Sequence, residues 1–152
     1  MRPGRQRGSQ MGVLLLAAQL FQVGFDRIPP VTLVTILGQV VTYLRLLDID
    51  WPRVSDVCVS AAHVWMYGDW KRCLLAAFFH LDDWHLYYNM VSFLWKGLTL
   101  ERYYGSVYFA FLIGVFSVLT NIVLVGLNVV VGQYWMKDMS YLMQCAAGFS
   151  GE

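Results

Sequence analysis

The chain has 152 residues, of which 58% are hydrophobic and only 14% are charged. Soluble domains usually carry about 25% charged residues, so this composition is typical of a membrane protein. The formal net charge of +1 and the lack of a basic stripe argue against nucleic acid as a partner. A chain of this length forms one domain at most.

A basic arm opens the chain at residues 1–10, and an apolar helix is predicted over residues 11–25. The arginines of the arm and the apolar run behind them are also typical of a signal peptide. We favour an uncleaved cytosolic arm and a juxtamembrane helix, because no clear small-x-small cleavage site precedes the next apolar segment.

Three complete membrane spans and the start of a fourth are predicted. Residues 107–136 contain no charged residue, and this run exceeds the roughly 20 residues that cross a bilayer. A soluble protein would have to bury such a segment on every side. The predicted spans are 30–47, 73–100 and 107–131, and residues 141–152 begin the fourth.

Residues 48–72, between the first two spans, are predicted to form a long loop with a helix lying on the bilayer. This segment mixes charges, a proline and a glycine with aromatic residues, which gather at membrane interfaces. We expect this loop on one side of the membrane, and the basic arm and the loop at residues 96–102 on the cytosolic side. Basic residues are nearly balanced between the two sides, so this orientation rests on the arginine arm.

The three cysteines, Cys58, Cys73 and Cys145, lack the spacing of metal ligands. We interpret them as free, packed thiols. A disulfide between Cys58 and Cys73 is the alternative if their loop faces an oxidising compartment.

Two polar residues of the second predicted span, His85 and Asn89, are four positions apart and share one helix face. Such groups are costly in an apolar segment without partners, and they usually face a protein interior or a water cavity. Both could donate hydrogen bonds to a developing oxyanion. Interhelical hydrogen bonding, or an interfacial His85 beside Trp84 and Tyr87, is the alternative. His80 is expected at the interface.

A Gly-x-Ser-Gly motif is present in Gly148-Phe149-Ser150-Gly151. Glycines beside a serine nucleophile allow close approach of the substrate backbone. Taken alone, the motif is explained better by helix packing of small residues. Glu101 and Arg102, at the far end of the second span, are interpreted as an ion pair in a loop.

Together, these segments resemble the rhomboid proteases in order and spacing. The stretch from Ile28 to Trp70 is more similar to members of that family from the endoplasmic reticulum. The resemblance covers about residues 70 to 151 and rests on Trp70-Lys71-Arg72, Phe79-His80, His85-Leu86-Tyr87-Tyr88-Asn89, Leu100-Glu101-Arg102-Tyr103-Tyr104-Gly105-Ser106 and the Gly-x-Ser-Gly motif.

The resemblance implies an all-α, multi-pass membrane protein with a six-helix core and an active site open to the lumen of the endoplasmic reticulum. It implies cleavage of transmembrane protein substrates within the lipid bilayer, with no metal and no cofactor. Ser150 would be the nucleophile, His85 and Asn89 would stabilise the oxyanion, and Gly148 would shape the same site. The motif that staples the loop after the second span would comprise Glu101 and Arg102.

The catalytic base sets this sequence apart from the rhomboid pattern. The family's Ser–His dyad uses a histidine of a Gly-His pattern in a sixth span, whereas this sequence ends at Glu152. A serine hydroxyl without its base is a very weak nucleophile. We therefore expect the chain to be inactive alone. The alternative function is a non-catalytic module that binds transmembrane clients or regulates the full protease.

Overall fold

The computed structural model describes residues 10–80 and 82–135, and most of these residues are in helices. The predicted all-α class is confirmed. The short helices α3 and α4 lie between α2 and α5. The α-helices are α1 (Met11–Val23), α2 (Pro30–Leu44), α3 (Val54–Val57), α4 (Lys71–Leu75), α5 (Asp83–Tyr104) and α6 (Ser106–Val130), with tighter or wider helical turns at Phe25–Arg27, Ala62–Met66, Ala76–Phe78 and Val131–Trp135.

Helix α5 is the centre of the fold and packs against α1, α2 and α6. Leu86, Met90 and Leu94 recur every four residues, so they form one stripe along α5, and all three are fully buried. Leu16 from α1 and Ile36 from α2 pack into the same cluster. Close contact between helices therefore depends on apolar side chains at helical spacing, as expected for a bundle.

Helix α1 runs beside α5 in the same direction. Near the start of α5, Asp83 contacts the backbone of Gly12, and near its end Arg102 contacts the backbone of Arg27. Helix α2 runs the opposite way, because Thr32 in its first turn contacts Glu101 at the end of α5. The start of α1 and the start of α5 thus lie at one end of the bundle.

The connection between α2 and α5 packs onto the other elements at that same end. Buried residues of this connection contact Val125 of α6. The Gln39 side chain of α2 donates a hydrogen bond to the Ala77 carbonyl at 3.2 Å, and Asn121 of α6 donates one to the Cys73 carbonyl at 2.7 Å. These polar contacts tie the connection to two long helices.

Of the described cysteines, Cys73 agrees with the interpretation as a free, packed thiol and Cys58 does not. Cys73 is a buried free thiol, so the pairing of Cys58 with Cys73 is wrong. Cys58 is disulfide-bonded rather than free. Cys145 lies outside the described residues.

Helix α6 presents large apolar side chains to its surroundings along most of its length. Val107, Phe111 and Leu127 are each more than half exposed. Within residues 10–80 and 82–135, this helix alone is both long and apolar enough to cross a membrane by itself. The shorter helices α1 and α2 are also apolar. An exposed apolar surface of this kind is suited to lipid.

The helix boundaries can be compared with the bounds of the predicted spans. The predictions for 30–47 and 107–131 correspond to α2 and α6, whereas the segment 73–100 is divided into α4, a 3-10 turn and α5. Helix α5 begins only at Asp83, because the preceding residues turn before the helix starts. The predicted fourth segment, residues 141–152, lies outside the described residues.

Candidate active site

The first turn of α5 is fixed by a local cap. Asp82 has extended backbone angles, and its side chain accepts a hydrogen bond from the backbone N–H of His85 at 2.8 Å. A carboxylate at this position satisfies one of the N–H groups that a helix start leaves without a partner. The cap therefore determines where α5 starts and places His85 in its first turn.

His85 and Asn89 lie one turn apart on the same face of α5, as their spacing predicts. Both side chains are half-buried, while Leu86 and Met90 point into the apolar core. The Asn89 Nδ2 atom is buried and has no hydrogen-bond partner within the described part of the chain. Buried polar atoms normally have such a partner, so Asn89 presents a donor that a ligand could use.

A third polar side chain, His80, packs against this face from the segment before α5. The ring centroids of His80 and His85 are 5.2 Å apart in an edge-to-face arrangement. His80 is only 5% exposed. The side chain is therefore buried within the protein, whereas an interfacial position was expected.

Asp83 links the candidate site to α1. Its carboxylate accepts hydrogen bonds from the backbone N–H groups of Gly12 and Val13 in the first turn of α1. Helix starts attract negative charge because their N–H groups point outward. Gly12 is required here, since a Cβ atom at this position would overlap Asp83. The first turn of α1 is thus bonded to a residue that lies two positions before His85.

Glu101 makes the corresponding contact at the other end of α5. Its carboxylate accepts hydrogen bonds from the N–H groups of Val31 and Thr32, at 2.9 and 2.7 Å, which cap the start of α2. It also accepts from the hydroxyls of Thr32 and Ser106, both at 2.7 Å. The Ser106 bond fixes the turn from α5 to α6.

The interpretation of Glu101 and Arg102 as an ion pair in a loop is wrong. Both residues lie in the last turn of α5, and their side chains contact different groups. Glu101 is 2% exposed and accepts hydrogen bonds from neutral N–H and hydroxyl groups, while Arg102 donates a hydrogen bond to the Arg27 carbonyl. These contacts hold α1, α2 and α6 to one end of α5.

The described structure brings His85 and Asn89 together and places Glu101 and Arg102 at the opposite end of α5. Sixteen residues separate His85 from Glu101, which corresponds to about 24 Å along a helix. Gly148 and Ser150 lie outside the described residues.

Sequence reasoning missed His80 and Asp83 as parts of this region. The sequence did indicate a partner for Asp83. Asp82 alone suffices to cap α5, and a second acidic residue at the start of a membrane helix needs its own partner. The signal at His80 was weaker. Its burial depends on how the residues before α5 turn, and no local sequence pattern predicts that turn.

The fold and this polar face define a helical membrane protein with a buried hydrogen-bond donor near one end of its central helix. A family profile described as the Rhomboid domain matches residues 67–152. The chain belongs to the rhomboid family, and it is an integral membrane protein.

Several curated proteins are similar to nearly the whole chain. Proteins named Rhomboid-related protein 4 from Mus musculus and from Homo sapiens are each 44% identical over 147 residues, which is 97% of this chain. Rhomboid-like protein 14, mitochondrial, from Arabidopsis thaliana is 33% identical over 149 residues, also 97% of this chain. In each case the match covers 45% of the relative, so the chain spans somewhat less than half of their length. No solved structure matches the chain.

Proposed function

We propose that this chain belongs to an intramembrane serine endopeptidase that cleaves transmembrane proteins. The observation that carries the proposal is that His85 lies one turn from Asn89 at the start of α5, and that the buried Asn89 Nδ2 has no hydrogen-bond partner among the residues that the structure describes. Family membership supplies the reaction class, and the Gly-x-Ser-Gly motif supplies Ser150 as the nucleophile.

The reaction begins when the Ser150 hydroxyl attacks the carbonyl carbon of the scissile peptide bond. A new carbon–oxygen bond forms, and the carbonyl oxygen takes the negative charge. Asn89 Nδ2 and a protonated ring nitrogen of His85 donate hydrogen bonds to that oxygen. In a site that excludes bulk water, such donors favour the transition state more than the ground state.

The tetrahedral intermediate then collapses, and the amine product leaves with a proton. Water hydrolyses the resulting acyl-enzyme by the same steps and regenerates the Ser150 hydroxyl. A general base must take the Ser150 proton in the first step and return a proton to the amine. By resemblance, this base is a histidine of a Gly-His pattern, in a polypeptide that extends to the length of the curated relatives.

The proposed substrates are transmembrane segments, and the proposed location is the membrane of the endoplasmic reticulum. The disulfide at Cys58 supports this location, because disulfides persist in oxidising compartments such as the lumen. The name of the Arabidopsis thaliana relative refers to mitochondria, so the location is a separate proposal from the reaction.

The direct test is proteolysis by the full-length polypeptide, reconstituted in liposomes with a transmembrane substrate. We expect cleavage by the wild type and none by Ser150→Ala. His85→Ala and Asn89→Ala should each reduce kcat by about 10²-fold, the usual cost of removing one oxyanion donor. Asn128→Ala is the matched control on α6, and it should retain wild-type kcat.

Cleavage that persists in Ser150→Ala would contradict the proposal. Equal losses of kcat in Asn89→Ala and Asn128→Ala would show that Asn89 has no special role. Wild-type protein that binds the substrate without cleaving it would instead support the alternative of a client-binding module.

A further inference from the structure

The buried imidazole of His80 has no function in the reaction proposed above. Only 5% of this residue is exposed, and neither ring nitrogen has a hydrogen-bond partner within residues 10–80 and 82–135. An imidazole with two buried, unpartnered nitrogens is less favourable for folding than an apolar side chain of similar size. Stability of the fold therefore does not explain a histidine here.

Among the residues that the structure describes, the ring of His80 packs against the ring of His85. The two ring centroids are 5.2 Å apart and the ring planes are inclined by 66°. His85 lies in the first turn of α5. A ring packed edge-to-face against it restricts the angles that the His85 imidazole can adopt.

We propose that His80 is a positioning residue for His85. This inference rests on the proposed function, in which a His85 ring nitrogen donates to the oxyanion. Such a donor must already be aimed at the position where charge develops, because reorientation during the reaction would cost part of the stabilisation. His80 supplies the restraint through its ring, and its nitrogens need no partner for that purpose.

Two substitutions separate the ring contact from the nitrogens. His80→Leu removes the aromatic contact and both unpartnered nitrogens but keeps an apolar side chain in the space. His80→Phe keeps an aromatic ring in contact with His85 and also removes the nitrogens. Both variants should unfold at the same temperature as the wild type or higher, because they bury no unsatisfied polar atom.

Turnover should separate the two variants in the full-length protein reconstituted with a transmembrane substrate. For His80→Leu we expect kcat to fall about tenfold, with KM within about twofold of the wild type. For His80→Phe we expect kcat within about threefold of the wild type. A variant that is at least as stable but slower, and is rescued by another aromatic ring, is not explained by a structural role.

His63→Leu is the matched control, because His63 bonds to Ser60 within its own loop and should not affect kcat. Wild-type kcat in His80→Leu would overturn the inference. An equal loss in His80→Phe would also overturn it, since the nitrogens would then matter rather than the ring. Absence of Ser150-dependent turnover in the wild type would instead overturn the proposed function, and this inference with it.

Discussion

Asp83 and Gly12 are 71 positions apart in the chain, yet the Asp83 carboxylate accepts the backbone N–H of Gly12 and caps the first turn of α1. A second bond, from the N–H of Val13 at 3.1 Å, completes the cap. The carboxylate is buried, so water does not replace it when it is removed. Helix α1 therefore depends on α5 for its start.

Asp83→Ala should destabilise the folded protein by roughly 1–3 kcal/mol, because it leaves two backbone donors of α1 without an acceptor. The measurement is the free energy of unfolding in detergent. Asp48→Ala, at an exposed position, is the control and should change stability by less than about 0.5 kcal/mol. Equal effects of the two substitutions would show that the cap contributes nothing.

Glu101 provides a graded test of the contacts at the other end of α5. Glu101→Gln replaces one carboxylate oxygen with an NH2 group, which cannot accept a hydrogen bond, and should cost about 1.5–3 kcal/mol, the usual value of a hydrogen bond to a charged group. Thr32→Val removes only the hydroxyl bond and should cost about 1 kcal/mol. Unfolding in detergent should give this order, and a larger loss in Thr32→Val would contradict it.

The direction of α1 differs from the topology that the sequence predicts. The basic arm is predicted on the side of residues 96–102, whereas α1 begins at the Asp83 end of α5. From Asp83 to Arg102, α5 rises about 28 Å, close to the ~30 Å hydrocarbon thickness of a bilayer. If α5 crosses the membrane, the segment from Gly12 to Arg27 crosses beside it.

Glycosylation acceptors report this relative orientation in microsomes. We expect an acceptor on a short extension before Met11 and a second acceptor near Val57 to be modified alike. A control acceptor in an insertion after Tyr104 should show the opposite result. Modification at Val57 without modification of the extension would show that α1 does not cross the membrane with α5.

The sequence predicted features that local patterns determine. Pro30 at a helix start, the charge-free run of α6 and the four-residue spacing of His85 and Asn89 each agree with the structure. The start of α5 was placed too early, because apolar residues before Asp82 extend the hydropathy pattern without continuing the helix.

Local sequence patterns do not predict capping contacts between residues that are far apart in the chain. Glu101 and Thr32 are 69 positions apart, and their pairing depends on the antiparallel packing of α2 and α5. Neighbouring opposite charges in a sequence indicate an ion pair, so the sequence predicts that Arg102 pairs with Glu101. In the structure, backbone N–H groups at a helix start provide better partners for a buried carboxylate.

Cysteine crosslinking tests which face of α5 lies toward the nucleophile motif. In a background with the native cysteines replaced by alanine, Asn89→Cys combined with Ser150→Cys should form a disulfide on mild oxidation. Tyr88→Cys combined with Ser150→Cys is the control, since Tyr88 is 66% exposed on another face. Crosslinking of position 88 and not of position 89 would remove the oxyanion role of Asn89.

The most direct test of the central claim, that Ser150 is a nucleophile served by His85 and Asn89, is its labelling rate with a fluorophosphonate probe. In the full-length protein, we predict labelling that Ser150→Ala abolishes and that Asn89→Ala slows by about 10²-fold, because the probe also develops negative charge on oxygen. Asn128→Ala should label at the wild-type rate. Labelling that survives Ser150→Ala, or that proceeds at the wild-type rate in Asn89→Ala, would contradict the account.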